Sequence, residues 1–227
     1  MLNWISQFST FCFLDNHQYP IFPHKTGCIA AAGVKTSIAA NAGKALQKLQ
    51  HFVGDGNKLL FGHLSYDLKN EIEYLSTFQT TAINFPDLFF FEPEVIIKFD
   101  ENSATIFAAE PEKIFNEIRL ASIRNKVFQP IEIKQRFEKI QYLEIIEKLK
   151  RHILRGDCYE INFCQEFFGT NTFIDPVLVY QQLSTVSPNP FSALYKVNNR
   201  WLICASPERF LKKNRTNNTI PTNKRNS

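Results

Sequence analysis

The chain has 227 residues, of which 44% are hydrophobic and 14% aromatic, and a formal net charge of +4. That length suits one large domain or two small ones with a substantial core, and the composition excludes a disordered or fibrous chain. The charge excess sits largely in a terminal run, Arg209, Lys212, Lys213, Arg215, Lys224 and Arg225 without one acid, which reads as a solvated, disordered end and not as a nucleic-acid arm.

The first residues lack the basic stretch and continuous apolar run of an export signal. No window reaches the ~18 apolar residues of a membrane span. Cysteines at 12, 28, 158, 164 and 204 form no C-x-x-C pair, and the five histidines show no metal-ligand spacing. The expectation is a cytoplasmic protein with buried structural thiols, no metal ligands, and neither nucleic acid nor membrane as partner.

Residues 1–35 read as short strands and loops, punctuated by Pro20, Pro23, Gly27 and Gly33. Residues 36–52 read as helix, with Ile38, Ala42, Ala45, Leu46 and Leu49 at helical spacing. Gly54-Asp-Gly56 is a turn, 59–66 a strand and 67–76 compatible with helix. Pro86 to Pro93 is extended and apolar. Residues 95–99 and 104–109 form a strand pair, and 111–125 a helix. Residues 127–137 are a lobe boundary or a strand. A helix follows from Lys139 to about Arg155, its stripe of Ile140, Leu143, Ile146, Leu149 and Ile153 stopped by Gly156. Residues 158–168 read as a strand carrying Cys158, Glu160, Asn162, Cys164 and Glu166 on one face. Asp175-Pro176 opens another helix. Tyr195 and 201–205 are strand-like around an Asn198-Asn199 turn. Mixed elements without regular strand–helix alternation predict an α+β fold with a largely antiparallel sheet.

Several segments then carry a resemblance, in one order along the chain. They are Gly62-His-Leu-Ser-Tyr-Asp-Leu-Lys69 with Glu71 and Glu73, Phe85-Pro-Asp-Leu-Phe89, and Arg155-Gly-Asp-Cys-Tyr-Glu-Ile-Asn-Phe163. Val186-Ser-Pro-Asn-Pro-Phe-Ser-Ala193 and Ser206-Pro-Glu-Arg-Phe-Leu211 complete the set. Together they resemble the chorismate-utilising enzymes, and the Phe-Ser-Ala and Asn-Phe-Cys variants lean toward aminodeoxychorismate synthase component I over anthranilate synthase component I. The resemblance implies an anthranilate synthase component I-like β-sandwich with flanking helices, its C-terminal half missing. It implies an N-terminal lobe over 1–126, the start of a chorismate-binding catalytic domain over 127–213, and a tail over 214–227.

The same resemblance implies amination of chorismate with ammonia from a glutaminase subunit, in 4-aminobenzoate and folate synthesis. It also implies a Mg2+ site, whose ligands belong to family segments absent from this chain. It assigns Glu208 as a catalytic candidate, a carboxylate in apolar sequence whose pKa would be raised for acid–base work. It assigns Pro190, Phe191 and Ser192, with Asp15 and Asn16 on the N-terminal side, to a tryptophan-like ligand site. The family's P-I-K-G-T signature, with its catalytic lysine, is not in the chain. One consistent codon choice for 215–227, shifted by one base, reads Q-P-I-K-G-T. The expectation is therefore an N-terminal fragment ending at a frameshift and inactive alone; the alternatives are a fragment of anthranilate synthase component I and a non-catalytic tryptophan-binding or assembly lobe.

Overall fold

The computed structural model describes residues 1–19, 27–54, 56, 58–73, 75, 82–100, 102–122 and 130–212. The expected tail, 214–227, lies outside the described residues. In chain order the elements are α1 (Leu2–Ile5), β1 (Thr10–Asp15), β2 (Cys28–Ala32), β3 (Thr36–Ala40), α2 (Ala45–Val53), β4 (Phe61–Leu64), α3 (Lys69–Ile72), β5 (Leu88–Glu92), β6 (Val95–Phe99), β7 (Ala104–Phe107) and α4 (Pro111–Leu120). There follow β8 (Lys134–Gln135), α5 (Lys139–Arg155), β9 (Phe167–Phe168), α6 (Pro176–Val186), β10 (Phe191–Val197) and β11 (Arg200–Ser206). Residues 1–124 with 176–227 form one compact unit, and 125–175 form a second. Residues 176–212 thus return to the N-terminal sheet, whereas the sequence reading grouped them with the helix at 139–155.

In the first unit a six-stranded sheet runs in the order β11-β10-β1-β2-β6-β7, and a three-stranded sheet in the order β3-β5-β4. All pairings are antiparallel. Strand alternation divides the core in two. On one face Phe11, Phe13, Ala30, Ala32, Val95, Ile97 and Leu194 pack with Trp4, Ile5, Val177 and Tyr180 of α1 and α6. On the other, Cys12, Ala31, Tyr195 and Val197 meet Phe61, Phe89 and Phe91 of the smaller sheet. The result is an α+β sandwich, one sheet lying between helices and a second sheet.

Two expected elements differ. Residues 36–52 are a strand and then a helix, not one helix. Thr36 and Ile38 favour the pleated chain, and left-handed φ values at Gly43 (106°) and Lys44 (75°) stop any helix continuing through them. Of the strand expected over 158–168, only Phe167 and Phe168 pair, with β8. Alternation presents a face, but a strand also needs a neighbour, and β8 offers two residues. The helix at Lys139–Arg155 forms with the predicted bounds, opened by a Glu138–Gln141 capping box and closed by Gly156 at φ 86°. All five cysteines are free thiols. Among the described residues no helix is long and apolar enough to cross a membrane.

Two motif segments serve this frame. Asp87 Oδ2 accepts the Ala42 N–H (2.9 Å) and Oδ1 accepts the Ser65 hydroxyl (3.0 Å), tying three segments together. Glu71 accepts the N–H groups of Gly43 (2.9 Å), Ala45 (2.6 Å) and Leu46 (3.0 Å), capping α2 from a distant segment. Desolvation raises its pKa, but the backbone bonds from Ala45, Leu46, Gly43 and Lys44 outweigh that and hold it below the usual range. Glu71→Gln should therefore lower the melting temperature at neutral pH. A depressed folded pKa contributes stability that is present above the unfolded value and lost as pH falls through the folded one. The difference between the two proteins should close on acidification; thermal melts showing a gap independent of pH would refute this role.

Candidate functional site

Period two along β1 puts Asp15 on the helix-facing side with Phe11 and Phe13. Its Cα partners are Ser192 of β10 on one side and Cys28 of β2 on the other. The register thus brings together two segments some 175 residues apart in the chain, by difference of their numbers. Past Asp15 the chain turns sharply, with left-handed φ at His17 (48°) and Gln18 (61°). The turn is held by side chains: Asp15 Oδ1 accepts the His17 N–H (2.8 Å), and Asn16 Oδ1 accepts the Gln18 N–H (3.0 Å). The Asn16 amide also donates to the Tyr19 carbonyl (3.2 Å), so both ends of that side chain serve the turn.

Opposite lies the proline loop. Asn189 Nδ2 donates to the carbonyl (3.1 Å) and hydroxyl (2.9 Å) of Ser187, and the Ser192 hydroxyl, 2% exposed as a residue, donates to the Asn189 carbonyl (2.9 Å). The Tyr19 hydroxyl donates to the Pro188 carbonyl (3.3 Å), linking turn and loop. Pro190 and Phe191 are half-buried, and the Arg209 guanidinium lies 5.1 Å from the Phe191 ring centroid. By backbone position all five residues assigned to the ligand site lie around the Asp15–Ser192 pair, but alternation along β10 turns the Phe191 side chain to the opposite face of the sheet, that of Tyr195 and Val197.

Three neighbours were missed by the sequence reading. Tyr180 of α6 points its hydroxyl at Asp15 Oδ2 (3.4 Å) and packs edge-on against Phe13. Burial first, and then the Asp15 charge, push its phenol well above the usual range. Burial and then Asp15 likewise push the Cys28 thiol to about 12. Both stay protonated at neutral pH. His17 Nδ1 lies 3.7 Å from Asp15 Oδ2, and its Nε2 is buried with no hydrogen-bond partner among the described residues. The helix signalled by Asp175-Pro176 could have pointed to Tyr180, about one turn in; nothing in the sequence pointed to Cys28 or His17. The Asp15 carboxylate is partly exposed (23%) and lies on the face of the sheet opposite the Phe191 ring.

Glu208 stands apart from this row in its surroundings. Its side chain is exposed, so the apolar enclosure expected for it is not there. Its own backbone is held by Ser206, whose hydroxyl donates to the Glu208 carbonyl (3.0 Å). In the second unit, the Gly156-Asp157 pair finishes α5: Asp157 accepts from Arg155 and from His152 Nδ1 (2.7 Å). The described residues hold no cluster of three or more His, Cys, Asp or Glu side chains fit for a metal ion, so they do not fit the Mg2+ site implied by the resemblance.

The family model for chorismate binding enzymes matches residues 15–223. The chain belongs to the chorismate-binding enzyme family. Among its curated relatives, an anthranilate synthase component I-like protein of Synechocystis sp. is 29% identical over 159 residues, covering 66% of this chain and 33% of that protein. An aminodeoxychorismate synthase component 1 of Klebsiella aerogenes is 23% identical over 155 residues, covering 66% and 34%. The chain therefore spans about a third of the length of these relatives. The crystal structure of anthranilate synthase component I from Streptococcus pneumoniae superposes with a TM-score of 0.69 at 16% identity, over 85% of this chain and 52% of that one. That likeness shows the fold of the family.

Proposed function

We propose that this member of the chorismate-binding family serves the amination of chorismate to 4-amino-4-deoxychorismate, with ammonia from a glutaminase subunit, and carries an amino-acid site at the end of β1. The pairing of Asp15 with Ser192 carries the second part of this reading, because it joins the two segments the resemblance assigned to tryptophan. In that site the Asp15 carboxylate holds the ligand ammonium, Tyr180 and the His17 backbone keep the carboxylate in place, and Pro190, just before β10, flanks the indole, with Phe191 assigned there by resemblance alone. Asn16 shapes the turn, and Ser192 holds the proline loop through Asn189. Glu208 keeps its proposed place near the reacting ring by resemblance alone. The Phe-Ser-Ala and Asn-Phe-Cys variants favour the aminodeoxychorismate product over anthranilate; the chain is expected to be inactive alone, so mass analysis of the product made from chorismate and ammonia after co-expression with the lysine-bearing family segment separates the two.

Calorimetric titration with tryptophan tests the site. The chain should give saturable heat, and Asp15→Asn should bind at least about tenfold more weakly, the worth of one hydrogen bond to a charged group. Absence of saturable heat at millimolar tryptophan would overturn the reading. A separate melt of Asp15→Asn distinguishes lost binding from lost folding.

A further inference from the structure

A second concavity lies where the β10–β11 hairpin meets the segment leading into β5. It encloses about 570 Å³ and is lined by Asn41, Asn84, Phe85, Phe89, Asn198 and Arg200, with Asp87 among its polar groups. Some of these groups are already engaged. Asn41 Oδ1 accepts the Asp87 N–H (3.3 Å), and both Asp87 oxygens are taken by Ala42 and Ser65. Arg200 donates its Nε–H to the Ile83 carbonyl (2.9 Å), which anchors the guanidinium. Among the described residues, its two terminal nitrogens have no acceptor.

The rim is built from two left-handed turns, Asn84 at φ 54° and Asn198 at φ 56°. Glycine would adopt this backbone more cheaply, so asparagine here adds an amide where the turn alone does not require one. The wall is aromatic and braced from behind. Phe85 stacks on Tyr195 (6.2 Å, 15°) and meets His63 edge-on (5.3 Å), while Phe89 is buried and stacks on His63 (6.5 Å, 22°). His63 Nε2–H donates to the Pro86 carbonyl (2.8 Å), which can only accept; its Nδ1 therefore accepts the Tyr195 hydroxyl (3.0 Å).

We propose that this cleft binds a small aromatic monocarboxylate. The terminal nitrogens of Arg200 take the carboxylate in a two-point fork. The amides of Asn41, Asn84 and Asn198 supply neutral donors around it, and the ring of the ligand lies against Phe85 and Phe89. One guanidinium in a cleft that also holds the Asp87 side chain favours a single carboxylate over a phosphate. The site is independent of Asp15 and of the amino-acid reading above.

Titration of the isotopically labelled chain with benzoate, followed by amide and arginine Nε resonances, tests this. Saturable shifts are expected at Phe85, Asn198 and Arg200, with the amides of Asp15 and Ser192 unmoved. Benzamide, which lacks the charge, and Arg200→Gln should each bind at least about tenfold more weakly. Because Arg200 also anchors Ile83, the paired changes Asn84→Gly and Asn198→Gly give a second test: glycine keeps both turns, and loss of the amides should weaken benzoate by about threefold or more. The absence of saturable shifts, acetate binding as tightly as benzoate, phosphate binding more tightly, or unchanged affinity in the glycine variant would each overturn the proposal.

Discussion

Phe11→Ala should destabilise the chain by about 3–5 kcal/mol, among the largest effects of any single truncation. Phe11 is fully buried on β1, the strand flanked by β2 and β10, and its ring meets Trp201 edge-on at 5.5 Å. Neighbours on its face come from β2, β6, β10 and α6, so no single element can shift to fill the gap. Folded domains of this size hold only about 5–15 kcal/mol in total. Urea denaturation should show the midpoint falling sharply with the slope unchanged. A loss below about 1 kcal/mol would mean that the helix layer collapses onto the sheet and the packing is looser than described.

Gly62→Ala should rank beside it for a different reason. A Cβ at Gly62 would collide with the Phe89 carbonyl oxygen and come within 2.7 Å of the Phe90 Cα, both backbone atoms of the paired strand β5. A side chain could swing aside, whereas a paired backbone moves only by opening the ladder. Overpacking usually costs about 1–3 kcal/mol, and this case belongs at or above the upper end. The damage should be local. Hydrogen exchange should quicken at the β4 and β5 amides well before those of β1 and β10, and uniform protection across both sheets would contradict the close approach.

Glycine at this position also explains part of the motif by which the family was recognised. Gly62, Glu71 and Asp87 each sit in a motif segment, and each closes a contact between segments: strand against strand, carboxylate on helix start, carboxylate on loop. The motifs were legible, but these roles were not, since a cap supplied from another segment leaves no local spacing to read. Helix Lys139–Arg155 was legible because its apolar period, its capping pair and Gly156 all agree. The β6–β7 and β10–β11 hairpins were legible from short turns between apolar runs. Residues 36–52 misled because alanine is a strong helix former whose preference is overridden at Ala39 and Ala40 by pairing with β5, and Gly43 and Lys44 then break the continuity. At the proposed ligand site, Asp15 and Ser192 were named separately by resemblance; that they are cross-strand neighbours depends on sheet order, which periodicity does not encode. Tyr180 and Cys28 joined them only through that order.

The sheet order has a consequence for how the protein is made. Strands β1, β2, β6 and β7 are synthesised within the first 107 residues and pair in sequence, but the other edge of β1 belongs to β10, which begins at Phe191. At about 5–20 residues per second, that edge waits on the order of ten seconds on the ribosome. During this interval Phe11 and Phe13 lack the cover of α6, and β1 presents unpaired backbone groups to any passing strand. The nascent chain is therefore most in need of a chaperone after the N-terminal strands emerge and before the last hairpin does.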